Sequence, residues 1–225
     1  MSFVLQPEIR LPARGRRVWS QYCVPSVGIV MRPLAPRRHG AILPAMSTTV
    51  PVRVTLIGYR ACGKTFLARH LSRRLAWAWC DIDAQVERQT GTTIAALFAA
   101  QGEEVFRDRE SEALAEVLLR PEPLVIATGG GCVLRQHNRD LLRAHGGLIV
   151  YLAADRAMLR ERLGRDRGRR PALSGRDVVS EIDEHLDRRE PLYRALADLV
   201  VDASQPVDDK VAIIAELVEN LSKNI

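Results

Sequence analysis

The eight residues G-Y-R-A-C-G-K-T at 58–65 constrain this chain more than any other feature, because they fit G-x-x-x-x-G-K-[ST] at every fixed position. The flanks fit as well. V-R-V-T-L-I at 52–57 reads as a buried, β-branched strand, and C-G-K-T-F-L-A-R-H-L-S-R-R-L at 62–75 reads as a helix with apolar residues at 67, 71 and 75. A strand, a glycine loop and a helix in that order make a phosphate cradle. Gly58 and Gly63 let the backbone curl so that N–H groups of Arg60, Ala61, Cys62 and Gly63 face phosphate oxygens, with the helix N-terminus behind them. Lys64 is placed to reach the β- and γ-phosphates of a nucleotide, and Thr65 to offer its hydroxyl to Mg²⁺.

The alternation continues downstream. A short strand is expected near 77–81, followed by helical segments at about 83–89, 92–101 and 103–120, the last stopped by Pro121 and Pro123. L-V-I-A-T at 124–128 is a strand that runs into the glycine loop 129–131. A helix near 135–145, the strand L-I-V-Y-L at 148–152 and a helix at 155–163 come next, then the Arg/Gly-rich segment 164–175. A helix near 178–194, a strand at 199–202 and a helix at about 206–222 complete the chain. Strands separated by helices imply right-handed crossovers and a three-layer α/β/α architecture. Composition agrees, since 47% of residues are hydrophobic but only 5% aromatic, which suits a parallel sheet under Ala- and Leu-rich helices. A length of 225 residues allows one domain with a sizeable core.

The net charge of +6 does not describe the domain. Residues 1–45 contain seven arginines and one acid, so they hold all of the excess, and residues 46–225 are neutral overall. The body therefore lacks the basic field of a nucleic-acid binder, and its phosphate affinity has to be focused at a site. The segment 1–45 has no sustained period and is expected to carry no secondary structure, as an extension ahead of a kinase domain at 46–225. Three accounts of it stand open: a start assigned too early, with Met46 as the alternative; a disordered arm; or a transit peptide. Cys23, Cys62, Cys80 and Cys132 have no metal-ligand spacing and read as free thiols. With no run long enough to span a membrane, the expectation is a cytoplasmic protein with neither a membrane nor a nucleic acid as partner.

The guanine motif N-K-x-D is absent, which argues against a regulatory GTPase, and H-R-D and D-F-G are missing too. W-C-D-I-D at 79–83 puts Asp81 and Asp83 two residues apart at the carboxyl end of the second strand, where open α/β sheets bind ligands. One carboxylate by a metal and one by an acceptor hydroxyl is the division that phosphoryl transfer requires. The plainer alternative is an aspartate that caps a helix.

These elements occur together with F-R at 106–107, T-G-G-G at 128–131, R-R-P-A-L at 169–173 and R-R-E-P-L-Y at 188–193. In order and approximate spacing the set resembles the shikimate kinase family over nearly all of 51–222. The resemblance implies a nucleoside-monophosphate-kinase-like fold with a five-stranded parallel sheet and a mobile lid, and transfer from ATP with Mg²⁺ to the 3-hydroxyl of shikimate. It implies that Asp83 orients or deprotonates the acceptor and that Asp81 supports Mg²⁺ through water beside Thr65. Arg107 and Arg189 match the pair that grips the substrate carboxylate, and Gly129, Gly130 and Gly131 the loop that approaches the ring. Arg170 resembles the lid arginine over the transferring phosphate, and Arg162 an arginine near the nucleotide. Catalysis is thus expected from Lys64, Asp83 and Arg170, in a monomer. A substrate that is an anionic polyol needs planar guanidiniums for its carboxylate and an acceptor for its hydroxyls, which Arg107, Arg189 and Asp83 supply.

Departures from the family pattern are Tyr59, Arg60 and Cys62, where smaller residues are usual, and Phe66, where a second Thr is common. Altered helix packing with the phosphate contacts kept is the expectation there. The rivals are a kinase for another small polyol, such as gluconate, and a nucleotide-binding module without catalysis.

Overall fold

A computed structural model describes residues 30–31, 53–165 and 181–223. Arg170, the lid segment from 166 onward and the expected helix start at 178–180 lie outside the described residues. Five strands run parallel: β2 (Arg53–Ile57), β3 (Ala78–Asp81), β4 (Leu124–Ala127), β5 (Leu148–Ala153) and β6 (Leu199–Asp202). A sixth, β1 (Val30–Met31), pairs antiparallel with β6, so the sheet order is β1-β6-β5-β2-β4-β3. That two-residue strand corrects the expectation that residues 1–45 carry no secondary structure. Its ladder partners, Val200 and Leu199, are far away in the chain, and two residues cannot show a period.

The strands between the sheet edges are buried on both faces, which is why they read as unbroken apolar runs. Side chains alternate between two cores. Val54, Leu56, Val125, Val150 and Val201 pack on one face with Leu67, Ala68 and Leu71 of α1 (Lys64–Leu75), Ile182 and Leu186 of α6 (Glu181–Leu196), and Ile214 and Val218 of α7 (Val207–Lys223). Ile57, Ile126, Ile149 and Tyr151 pack on the other with α2 (Ile82–Thr90), α3 (Ile94–Leu118) and α4 (Gln136–His145). Helix α5 (Arg156–Arg165) follows β5.

Within α3, Gly102 has φ 83° and ψ 176°, so two helices abut there, as the separate periodicities of 92–101 and 103–120 predict. The chain reverses its direction across the sheet between β2 and its neighbours β4 and β5. The crevice at the carboxyl ends of these strands is where such sheets bind ligands, and the P-loop, the Asp81–Asp83 turn and the triple-glycine loop all open onto it.

Candidate active site

Left-handed backbone shapes the loop after β2. Gly58 has φ 144°, Ala61 63° and Gly63 103°. A side chain at Gly58 would strike Leu152 O at 2.7 Å, so glycine is required there on both counts. Lys64 begins α1 and is only 7% exposed. Its Nζ donates to Gly58 O at 2.8 Å and Tyr59 O at 2.7 Å, and lies 3.6 Å from Cys62 Sγ. The ammonium thus sits within the curl of the loop, close to where a phosphate held by the backbone N–H groups would lie.

Thr65 Oγ1 donates to Asp81 Oδ2 at 2.6 Å. The other oxygen, Asp81 Oδ1, accepts from Asp83 N at 3.0 Å and Ala84 N at 3.3 Å, so Asp81 is the N-cap of α2. The capping alternative weighed from the sequence therefore holds for one oxygen of Asp81, while the other faces the P-loop hydroxyl. A hydroxyl and a carboxylate oxygen in contact form the hard, all-oxygen donor set that Mg²⁺ takes, with waters completing its shell.

The three glycines after β4 each have a neighbour in the place of a Cβ. At Gly129 it is the carboxylates of Glu110 and Asp83; at Gly130 it is the P-loop backbone, Arg60 N at 3.0 Å; at Gly131 it is the guanidinium of Arg107. The glycine loop therefore brings together side chains from α2 and α3 with the phosphate loop. Tyr193 of α6 donates its hydroxyl to Gly130 O and stacks on Tyr151 at 5.1 Å. Burial pushes its phenol well above the usual value, so it remains a donor.

Arg107 and Arg189 are buried, at 6% and 4% exposure. Arg107 Nη1 pairs with Glu110 at 2.8 Å and Nη2 with Glu103 at 3.0 Å. Burial opposes the charge on Arg107, but Glu110 and Glu103 outweigh it and raise its pKa. Glu110 is wholly buried, and desolvation raises its pKa despite the pull of Arg107 and Arg189. Arg107 is thus paired with two carboxylates, whereas among the described residues no carboxylate forms an ion pair with Arg189.

On the other side of the P-loop lies a cavity of about 220 Å³ lined by Gly63, Phe66, Arg162, Ser204, Gln205 and Lys210, among others. Arg162 Nη1 donates to Ala61 O at 3.2 Å. Phe66 is 57% exposed and lies against His70 of its own helix at 4.3 Å, so this departure lines the cavity. Lys210 is buried and donates to Ala203 O at 2.9 Å and Gln205 O at 2.6 Å, which holds the β6–α7 loop against the cavity.

The family model described as shikimate kinase matches residues 60–222. The chain is 43% identical over 169 residues to a shikimate kinase of Nitratidesulfovibrio vulgaris, an alignment that covers 72% of this chain and 95% of the relative.

The chain belongs to the shikimate kinase family. The reaction of shikimate kinases is phosphoryl transfer from ATP, with Mg²⁺, to shikimate. A shikimate kinase from Acinetobacter baumannii, solved in complex with shikimate, superposes with a TM-score of 0.69 at 34% identity, covering 76% of this chain and 94% of that one. A gluconokinase from Sinorhizobium meliloti shares the fold alone, at 22% identity and a TM-score of 0.52, with 78% of this chain and 98% of that one covered.

Of the described residues expected for a shikimate kinase, Gly58, Arg60 to Thr65, Asp81, Asp83, Arg107, Gly129 to Gly131 and Arg189 gather around the crevice, and Arg162 lies in the cavity on the other side of the P-loop. The sequence reading gave no role to Glu110, Tyr193 or Lys210, although Tyr193 closes the motif R-R-E-P-L-Y. Glu110 lies three residues after Arg107 on α3, a spacing that pairs opposite charges, and was legible on that ground. Tyr193 meets Gly130 and Tyr151 only across the fold, whereas Lys210 binds carbonyls of its own adjoining loop, a contact that no sequence period marks. Among the described residues, Cys62, Cys80 and Cys132 are free thiols, and no helix is long and apolar enough to cross a membrane.

Proposed function

We propose that this chain transfers the terminal phosphoryl group of ATP to the 3-hydroxyl of shikimate through the residues of this crevice. The observation that carries the reading is the pair of buried guanidiniums, Arg107 and Arg189, next to the Asp83 carboxylate and the glycine loop, with the P-loop in contact. An anionic polyol is the ligand that such a pocket suits. Arg107 and Arg189 bind the carboxylate of shikimate, and Asp83 accepts hydrogen bonds from its hydroxyls and orients the 3-oxygen toward the nucleotide.

Lys64 leaves Gly58 O and Tyr59 O to bind the β- and γ-phosphates, while the backbone N–H groups from Arg60 to Thr65 bind the remaining phosphate oxygens. Asp83 takes the proton of the acceptor hydroxyl or holds it in line, and Arg170 and Lys64 stabilise charge on the phosphoryl group as it moves. Thr65 and Asp81 are the residues that would hold Mg²⁺, which would supply positive charge against the nucleotide phosphates. The nucleoside end extends from the P-loop into the cavity lined by Arg162 and Lys210. Residues 46–225 form the catalytic domain, and the reading includes a monomer that acts in the cytoplasm without nucleic acid or membrane as partner.

The test is ADP release by the purified chain with ATP and Mg²⁺ and, in parallel, shikimate, quinate, gluconate or no acceptor. Release that depends on shikimate is expected. Release with gluconate alone would refute the acceptor assignment, and ATP binding without acceptor-dependent release would leave a nucleotide-binding module.

A further inference from the structure

The second residue of the P-loop, Tyr59, departs from the smaller residues common there, and the reaction as described gives its side chain no task. It is 1% exposed. Its backbone oxygen accepts from Lys64 Nζ at 2.7 Å, and its hydroxyl lies 3.5 Å from His185 Nδ1. The guanidinium carbon of Arg189 lies 5.6 Å from the centroid of the Tyr59 ring, and that of Arg60 lies at 6.0 Å. Both fall within the range in which a cation is attracted to an aromatic face.

The two arginines of the acceptor pocket are held in different ways. Arg107 is held by two carboxylates. Among the described residues no ion pair joins Arg189 to a carboxylate, and its buried Nε has no hydrogen-bond partner. The contact shown for this guanidinium is the Tyr59 ring, 5.6 Å from its central carbon. An aromatic face differs from a carboxylate in one respect that matters here: it orients the cation without neutralising it or occupying its N–H groups. The full charge and the donor fork remain for an incoming anion.

We propose that Tyr59 is a positioning residue for Arg189: its ring holds the guanidinium in the plane that receives the carboxylate of the acceptor. The proposal rests on the reading of Arg189 as a carboxylate-binding residue. It makes the phosphate loop a structural part of the acceptor pocket, since one residue supplies a carbonyl to Lys64 and a ring to Arg189.

Calorimetric titration of shikimate into the full chain, with no nucleotide present, tests this in wild type, Tyr59→Phe and Tyr59→Leu. A fluorescent ADP analogue and thermal unfolding are measured on the same samples. Tyr59→Leu is expected to weaken shikimate binding about five- to thirtyfold while nucleotide affinity stays within about twofold, and Tyr59→Phe to bind shikimate nearly as wild type does. In an Arg189→Lys background, where the planar guanidinium is gone, Tyr59→Leu is expected to cost much less. The proposal is overturned if Tyr59→Leu binds shikimate as wild type does, or if Tyr59→Phe loses as much as Tyr59→Leu. It is also overturned if shikimate affinity, nucleotide affinity and melting temperature fall together, the mark of a collapsed loop. A wild-type chain that binds no shikimate overturns the proposed function and this inference with it, whereas a binding wild type with an indifferent Tyr59→Leu overturns this inference alone.

Discussion

Arg107 Nη1 lies 2.8 Å from Glu110 Oε2, and the second oxygen of that wholly buried carboxylate, Oε1, has no hydrogen-bond partner. In the proposed function the pair is the charged floor of the acceptor pocket, and Glu110 holds its charge at a cost, since burial raises its pKa. A carboxyl whose folded pKa is raised contributes stability that is fully present below its unfolded value of about 4.3 and lost as pH rises through the folded value. As pH rises from about 4.3 through the raised folded value, wild type is therefore expected to lose stability relative to Glu110→Gln, which has no proton to lose. Urea unfolding of both proteins across that window measures the difference. Parallel stability curves would contradict the account.

Gly131 tests the glycine loop. Its φ of −95° is ordinary, so alanine there suffers no backbone strain, but the added methyl would meet the guanidinium of Arg107. Gly131→Ala is expected to raise KM for shikimate by about ten- to a hundredfold, by displacing a positioned guanidinium, and to leave KM for ATP nearly unchanged. Steady-state kinetics with each substrate varied separates the two. Equal changes in both constants would mean that the loop supports the P-loop and not the acceptor pocket.

How far the sequence alone reached can be judged from these residues. The P-loop, the strand–helix alternation and the break at Gly102 are local, set by spacing and by residue types that few conformations accept, so they were legible. Asp83 was singled out by its place two residues after Asp81 at the carboxyl end of a strand, whereas Arg107 and Arg189 were legible only through resemblance, because an arginine on a helix shows no pattern of its own. The pairing of Val30 with Val200, the hydroxyl of Tyr193 on Gly130 and the ring of Tyr59 by Arg189 join residues distant in the chain, and no periodicity encodes such meetings.

Lys210 tests the nucleotide side. Burial, and to a lesser degree the charge of Arg162, lower its pKa, yet its ammonium holds two carbonyls of the β6–α7 loop. Lys210→Met removes both bonds and frees that wall of the cavity. It is expected to raise KM for ATP about tenfold, the loss of one or two charge-assisted hydrogen bonds, with KM for shikimate little changed. An unaltered KM for ATP would place the nucleoside end elsewhere.

The most direct test of the central claim is to identify the product of ATP, Mg²⁺ and shikimate by phosphorus–proton correlation NMR, with wild type, Lys64→Ala and Asp83→Asn. The account predicts a single phosphate monoester at the 3-oxygen with wild type, none with Lys64→Ala, and with Asp83→Asn nucleotide binding that persists while the ester signal is lost. An ester at another oxygen, inorganic phosphate in place of an ester, or wild-type turnover by Lys64→Ala would contradict it.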